Sequence, residues 1–286
     1  MRIHAIQTGT VSVHELQRSG HGRGLVRALN TMRDTHWTPA LPIFTWVIEH
    51  PEGVIVVDSG DTSRTATPGY FPRWHPYFRW GVRIDVTPEE EIGPQLRLLG
   101  ISTSDVRTVI MTHLHTDHAG GLSHFPDSDI FVDAREYEVA RGIPGMMRGY
   151  LPHRWPDWFA PRPMPWMHDD IGPFDRCAVI TRAGDVRVLP TPGHSAGHAS
   201  VLVTVSGEPA VLLAGDVSYT QENLLADVVD GVSPLGGGEA AARRSLARVR
   251  GLAREMPLVF LPTHDEQSAV RLAERRAIPR DLLGEA

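Results

Sequence analysis

Apolar residues in this chain come in short blocks rather than long sweeps. Phe44 to Ile48 and Val54 to Val57 flank His50-Pro51-Glu52-Gly53, which predicts a hairpin. Val109-Ile110-Met111, Val186 to Leu189, Val211 to Ala214 and Leu258 to Leu261 have strand length and predict buried strands. Met1 to Ile6 reads as another strand. Helical spacing appears between these blocks. Thr87-Pro88-Glu89-Glu90 predicts a helix start with a capping box, followed by Ile92, Leu96 and Leu99 on one face and a stop at Gly100. Asp133-Ala134-Arg135-Glu136 opens another helix in the same way. Gly238 to Glu255 is the most regular, with Leu246, Val249, Leu252 and Met256 inward and Arg243, Arg244, Arg248 and Arg254 on the solvated side. Strands alternating with helices after residue 80 indicate an α/β fold.

Two stretches break the pattern. Arg64 to Trp80 and Gly142 to Pro173 are rich in Pro, Trp and Met and hold Trp74, Trp80, Trp155, Trp158 and Trp166. Long irregular segments serve as lids, binding walls or interfaces. The expectation is a pocket wall for a substrate with an apolar portion, built from Met146, Met147, Trp155, Trp158, Phe159 and Trp166. A homodimer interface, or packing of the loop on the outer helices, is the competing use of the same surface. Ser19-Gly20-His21-Gly22-Arg23-Gly24 lacks the Gly-Lys-Ser/Thr of a phosphate loop and reads as a flexible connection.

The chain has 286 residues, enough for a single domain spanning 1–286, with insertions at about 64–80 and 142–173. A net charge of −6 argues against nucleic acid as a partner. No apolar run reaches membrane-span length, and the N-terminus lacks a signal-peptide core, so the expected location is the cytoplasm. The single Cys177 has no ligand motif around it and reads as an incidental thiol.

The chemistry is concentrated in Thr112-His113-Leu114-His115-Thr116-Asp117-His118, which follows one of the strand-like runs. In an extended segment His113 and His115 point the same way, while Asp117 and His118 fall where the chain turns into a helix. Three further candidates follow other apolar runs: His194, Asp216 and His264. Strand ends thus deliver five imidazoles and two carboxylates. Seven donors exceed one tetrahedral ion and suit two divalent metals sharing a carboxylate.

In these residues the chain resembles the metallo-β-lactamase superfamily. His113, His115, Asp117 and His118 match its HxHxDH signature, and His194, Asp216 and His264 match its later ligands in order. The resemblance implies an αββα sandwich, two mixed sheets flanked by helices. It assigns His113, His115 and His194 to one metal, Asp117, His118 and His264 to a second, and Asp216 to both. It implies zinc first, with iron, manganese or cobalt accepted by the same donors. Asp58, in Asp58-Ser59-Gly60, resembles a family aspartate that orients a ligand imidazole. His198 is left as a packed histidine because the ligand positions are already filled.

Tyr219, three residues after Asp216, resembles the tyrosine of the N-acyl homoserine lactonase branch. That likeness implies a lactonase in which a metal-bridging hydroxide attacks the carbonyl, Tyr219 stabilises the oxyanion and Asp117 handles a proton. Two rivals of the same fold stay open, a glyoxalase II-like thioester hydrolase and a phosphotriesterase. A non-catalytic metal-dependent binder ranks last, because the ligand set is intact.

Overall fold

Alternation along the strands decides the architecture. The structure is a computed structural model describing residues 1–284. β1 (Arg2–Val13), β2 (Leu41–His50), β3 (Gly53–Val57), β4 (Val82–Asp85), β5 (Val106–Ile110), β6 (Asp129–Val132) and β7 (Arg162–Pro163) form one sheet in the order β4-β1-β2-β3-β5-β6-β7. β8 (Trp166–Met167), β9 (Cys177–Val179), β10 (Val186–Pro190), β11 (Ala199–Val203), β12 (Ala210–Gly215) and β13 (Leu258–Pro262) form the other, in the order β13-β12-β11-β10-β9-β8. Both sheets are mixed: β2 and β3 are antiparallel while β3, β5 and β6 run parallel, and β11 and β12 are antiparallel while β12 and β13 run parallel.

Successive side chains on a strand face opposite ways. Phe44, Trp46 and Ile48 of β2 and Ile55 and Val57 of β3 therefore enter a central core with Val211 and Leu213 of β12 and Val259 and Leu261 of β13. Their neighbours face outward to helices. Val47 and Val56 meet Ile92 and Leu96 of the helix Ile92–Leu98. Leu212 and Phe260 meet Leu246, Val249 and Leu252 of the helix Glu239–Glu255. The result is the expected αββα sandwich. Truncating one of these fully buried leucines, such as Leu246→Ala, would cost about 2–5 kcal/mol.

Three expectations need correction. The helix anticipated from Thr87 begins at Ile92. Glu90 Oε2 does accept from Thr87 N, at 2.8 Å, but Pro94 has no N–H to return to Glu90, so it fits only in a first turn. Ser19 to Gly24 is fastened rather than flexible. Buried Arg27, on the helix Gly24–Arg33, donates to the carbonyls of Gly20 and Gly22 at 2.9 Å and of Val229 at 2.5 Å.

The segment 142–173 is largely structural. It contains β7 on the edge of the first sheet and β8 on the edge of the second, so it closes one side of the sandwich. Trp155 and Phe159 pack on Tyr137 in the outer layer, Trp166 joins the central core with its indole N–H on Asp133 at 2.8 Å, and Trp158 is exposed. Cys177 is buried. Among the described residues no helix is long and apolar enough to cross a membrane.

Candidate metal centre and cavity

The seven candidate donors converge at one edge of the sandwich, beyond the carboxyl ends of β5, β10, β12 and β13. β5 ends at Ile110, and Asp117 and His118 lie in the helical turn Thr116–Ala119, as the sequence suggested. His113 Nε2 and His194 Nε2 each lie 3.0 Å from His115 Nδ1. Imidazoles bound at ~2 Å to one tetrahedral ion would have nitrogens roughly 3.3 Å apart, so this triad is already near ligand spacing. Asp117, His118 and His264 form a second group.

Asp216 stands between the groups. Its Oδ1 is 3.3 Å from His118 Nε2, while Oδ2 is 3.3 Å from His264 Nε2 and 3.5 Å from His194 Nε2. Gly215 makes this possible with φ +55°; a Cβ there would lie 2.7 Å from His198 Nε2. That nitrogen accepts from Asp216 N at 2.9 Å, so His198 braces the carboxylate's backbone.

Most of the imidazoles are held again from behind, which fixes the nitrogen offered forward. His118 Nδ1 is 2.8 Å from Asp58 Oδ2, His194 Nδ1 is 3.2 Å from Asp230 Oδ2, and His264 Nδ1 is 2.9 Å from the Pro42 carbonyl. Asp58 also accepts from Thr112 N at 2.7 Å and Thr112 Oγ1 at 2.8 Å. It does so at φ +60°, in the left-handed region.

The sequence reading assigns neither Asp230 nor Glu136 to the site. Buried Glu136 accepts from Leu114 N, Tyr150 Oη, Ser195 Oγ and Gly197 N, tying the His113–His115 loop to the His194 loop. Asp133-Ala-Arg-Glu was legible as a helix start, but nothing local marks Glu136 as inward. For Asp230 the signal was the glycine run Gly236 to Gly238 downstream. A Cβ on Gly236 would collide with the His194 carbonyl, so this strip lies flat against the His194 loop.

The charges suit cations. Burial, reinforced by neighbouring histidines, pushes His115 down to about 3 and His113 well below the ordinary imidazole value, which keeps both neutral as metal ligands must be. Burial also opposes charge on Asp117, Asp216 and His264, but the attraction of the two carboxylates to His118 and His264 wins. Asp117 falls to about 2, Asp216 falls well below the carboxylate range, and His264 rises to about 10. His118 Nε2 and Asp216 Oδ1 are buried and face each other at 3.3 Å without a well-directed hydrogen bond, a cost normally met by a ligand. Donor types, spacing and unsatisfied atoms all fit divalent metal.

A cavity of about 380 Å³ opens onto this cluster. Its apolar wall comes from Val11, Val13, Val82 and Ile84, with Met147 and Leu235. Of the six wall residues expected from 142–173, only Met147 lines it, joined by Arg148 to Tyr150 from the same segment; His75 and Tyr77 come from the other irregular stretch. Tyr219 is buried at the junction, its ring stacked on His264 at 5.3 Å. Burial and the nearby Asp216 push its phenol well above the ordinary value, so it remains a proton donor.

A sequence model described as the metallo-beta-lactamase superfamily matches residues 38–264. The N-acyl homoserine lactonase AiiA of Bacillus thuringiensis subsp. kurstaki is 31% identical over 235 residues, covering 79% of this chain and 83% of that protein. The N-acyl homoserine lactonase AttM of Azorhizobium caulinodans is 30% identical over 250 residues, covering 79% and 82%. A solved N-acyl homoserine lactone hydrolase, with N-hexanoyl-L-homoserine bound at its catalytic metal center, superposes with a TM-score of 0.72 at 23% identity, covering 93% of each chain.

Proposed function

Starting from a chain that belongs to the metallo-beta-lactamase superfamily, we propose that it is a metal-dependent hydrolase that opens N-acyl homoserine lactones. We read the whole chain as one hydrolase domain. His113, His115 and His194 would hold one divalent ion, Asp117, His118 and His264 a second, and Asp216 both. Zinc is the first choice for a set dominated by imidazole, with iron, manganese and cobalt as alternatives.

When bound, the ions supply Lewis acidity: they make water nucleophilic near neutral pH and polarise a carbonyl oxygen. The chain's own residues do the rest. Tyr219 donates its phenol proton in a hydrogen bond to the lactone oxygen as negative charge develops there. Asp117, kept ionised, accepts a proton from the attacking water and returns it to the ring oxygen as the acyl C–O bond breaks. The product is the ring-opened hydroxy acid. The valine and isoleucine wall buries the acyl chain and excludes water.

What carries this reading is the position of the Tyr219 phenol, buried between the donor cluster and an apolar cavity. A glyoxalase II-like role fits less well. A glutathione conjugate presents several charges, whereas Arg148 is the single arginine or lysine among the cavity-lining residues. The test is a turnover panel on metal-analysed protein: homoserine lactones of several chain lengths, a simple aliphatic lactone, S-lactoylglutathione and an aryl phosphotriester. Homoserine lactones should lead by about tenfold or more in kcat/KM. A lead for either of the last two would replace this reading.

A further inference from the structure

Gln17 lies far from the donor cluster in sequence and is buried at the cavity. Its Nε2 donates to Tyr77 Oη at 3.0 Å and to Tyr219 Oη at 3.1 Å. Both amide protons are thereby committed, and both phenol oxygens act as acceptors on that side. Among the described residues no protein acceptor takes either phenol proton. Both tyrosines line the cavity, so each proton is presented to whatever occupies it. Burial raises both phenols, with nearby carboxylates adding to it, so both remain protonated.

The two donors are not equivalent. Tyr219 stacks on His264 and lies 6.3 Å, ring to ring, from His194, which puts it at the reacting group. Tyr77 comes from the irregular 64–80 stretch and the turn that follows it, Tyr77–Gly81. Its ring rests against Gly81, where a Cβ would lie 2.9 Å from Cδ2. With the two amide N–H bonds diverging at their usual ~120°, the phenol oxygens are roughly 5 Å apart.

We propose that Gln17 is a positioning residue that sets Tyr219 and Tyr77 as a pair of donors, Tyr219 for the reacting carbonyl and Tyr77 for a second carbonyl oxygen on the same substrate. The substrate class this selects is an ester or lactone bearing an acylamino group next to the reacting carbonyl. The inference rests on the lactonase reading and adds to it the part of the substrate that Tyr77 recognises. It also gives Gln17 a polarity. If its carbonyl faced the phenols instead, both phenol protons would be drawn into the protein and the cavity would lose its donors.

The test compares two substrates, N-hexanoyl homoserine lactone and a γ-lactone carrying an alkyl chain but no amide. Tyr77→Phe should lower kcat/KM about tenfold on the first, mainly through KM, and far less on the second, as expected for one lost hydrogen bond. Tyr219→Phe should lower kcat on both. Gln17→Leu should lower both and shrink the preference for the amide substrate. Gln17→Glu, equal in size but an acceptor, should do at least as much damage. Metal content by elemental analysis and the melting temperature should stay at wild-type values in the tyrosine variants, which separates donor loss from misfolding. Equal effects of Tyr77→Phe on the two lactones, or wild-type turnover by Gln17→Glu, would overturn the inference alone. Wild-type protein inert towards both lactones would overturn the lactonase reading and this inference together.

Discussion

At the floor of the cavity, most of the imidazoles are fixed at both ends: one nitrogen faces the cluster and the other meets a carboxylate, a hydroxyl or a carbonyl. At the wall, Val11, Val13, Val82 and Ile84 are held by packing alone, on the paired strands β1 and β4 at the edge of their sheet. Hydrogen-bonded groups have few acceptable positions, whereas packed aliphatic groups tolerate exchanges of similar volume. In the proposed mechanism the floor therefore fixes the reaction and the wall sets which substrates reach it. Floor substitutions should change rate for every substrate; wall substitutions should change ranking among substrates.

Asp216→Ala is the most severe way to probe the floor. Wild-type protein should carry two divalent ions per chain by elemental analysis, and the variant fewer, with turnover down by about a thousandfold or more on all lactones. A single retained ion in fully supplemented wild type would break the two-group description. Tyr219→Phe comes next. Turnover should fall by roughly ten- to a thousandfold with metal content unchanged, the range for one lost oxyanion donor. An unchanged rate would move Tyr219 from the floor to the wall.

Milder changes sharpen the boundary. Each methylene buried against the wall contributes about 0.8 kcal/mol, so two more should raise kcat/KM roughly tenfold until the cavity is full. Met147→Ala should flatten that dependence, measured across a series of acyl chains, without altering metal content. A chain-length profile identical to wild type would show that the acyl chain lies elsewhere. Phe159→Ala supplies the contrast. It should lower stability by about 3–5 kcal/mol in denaturant melts yet leave the chain-length profile intact, because Phe159 packs on Tyr137 away from the cavity.

The same contrast explains what the sequence made legible. All seven donors follow short apolar runs and sit at the turns after strands, so a local pattern was enough to find them. The strands were legible as short apolar runs, but their assembly into a sandwich came from the family resemblance, because a continuous apolar run does not say which of its residues face which layer. The wall was not, because it joins β1, β4, the Tyr77 turn and the strip around Leu235, which meet only through the fold. Trp155, Phe159 and Trp166 misled because an aromatic closing the flank of a sandwich has the same composition as one lining a pocket. Gln17 is a single polar residue whose meaning depends on Tyr77 and Tyr219, far away in sequence, and the role of Asp230 depends on the equally distant His194.

Floor and wall meet along the strip from Asp230 to Gly238. Leu235 of this strip touches the cavity, Asp230 holds His194, and Gly236 lies against the His194 carbonyl too closely for any side chain. The backbone of this strip therefore joins the wall to His194. A substrate bulky enough to displace the backbone at Leu235 would also push on the residues that hold His194, a proposed metal ligand. Oversized chains should therefore lose turnover as well as affinity, and the enzyme would gauge substrate girth through the precision of its own metal cradle.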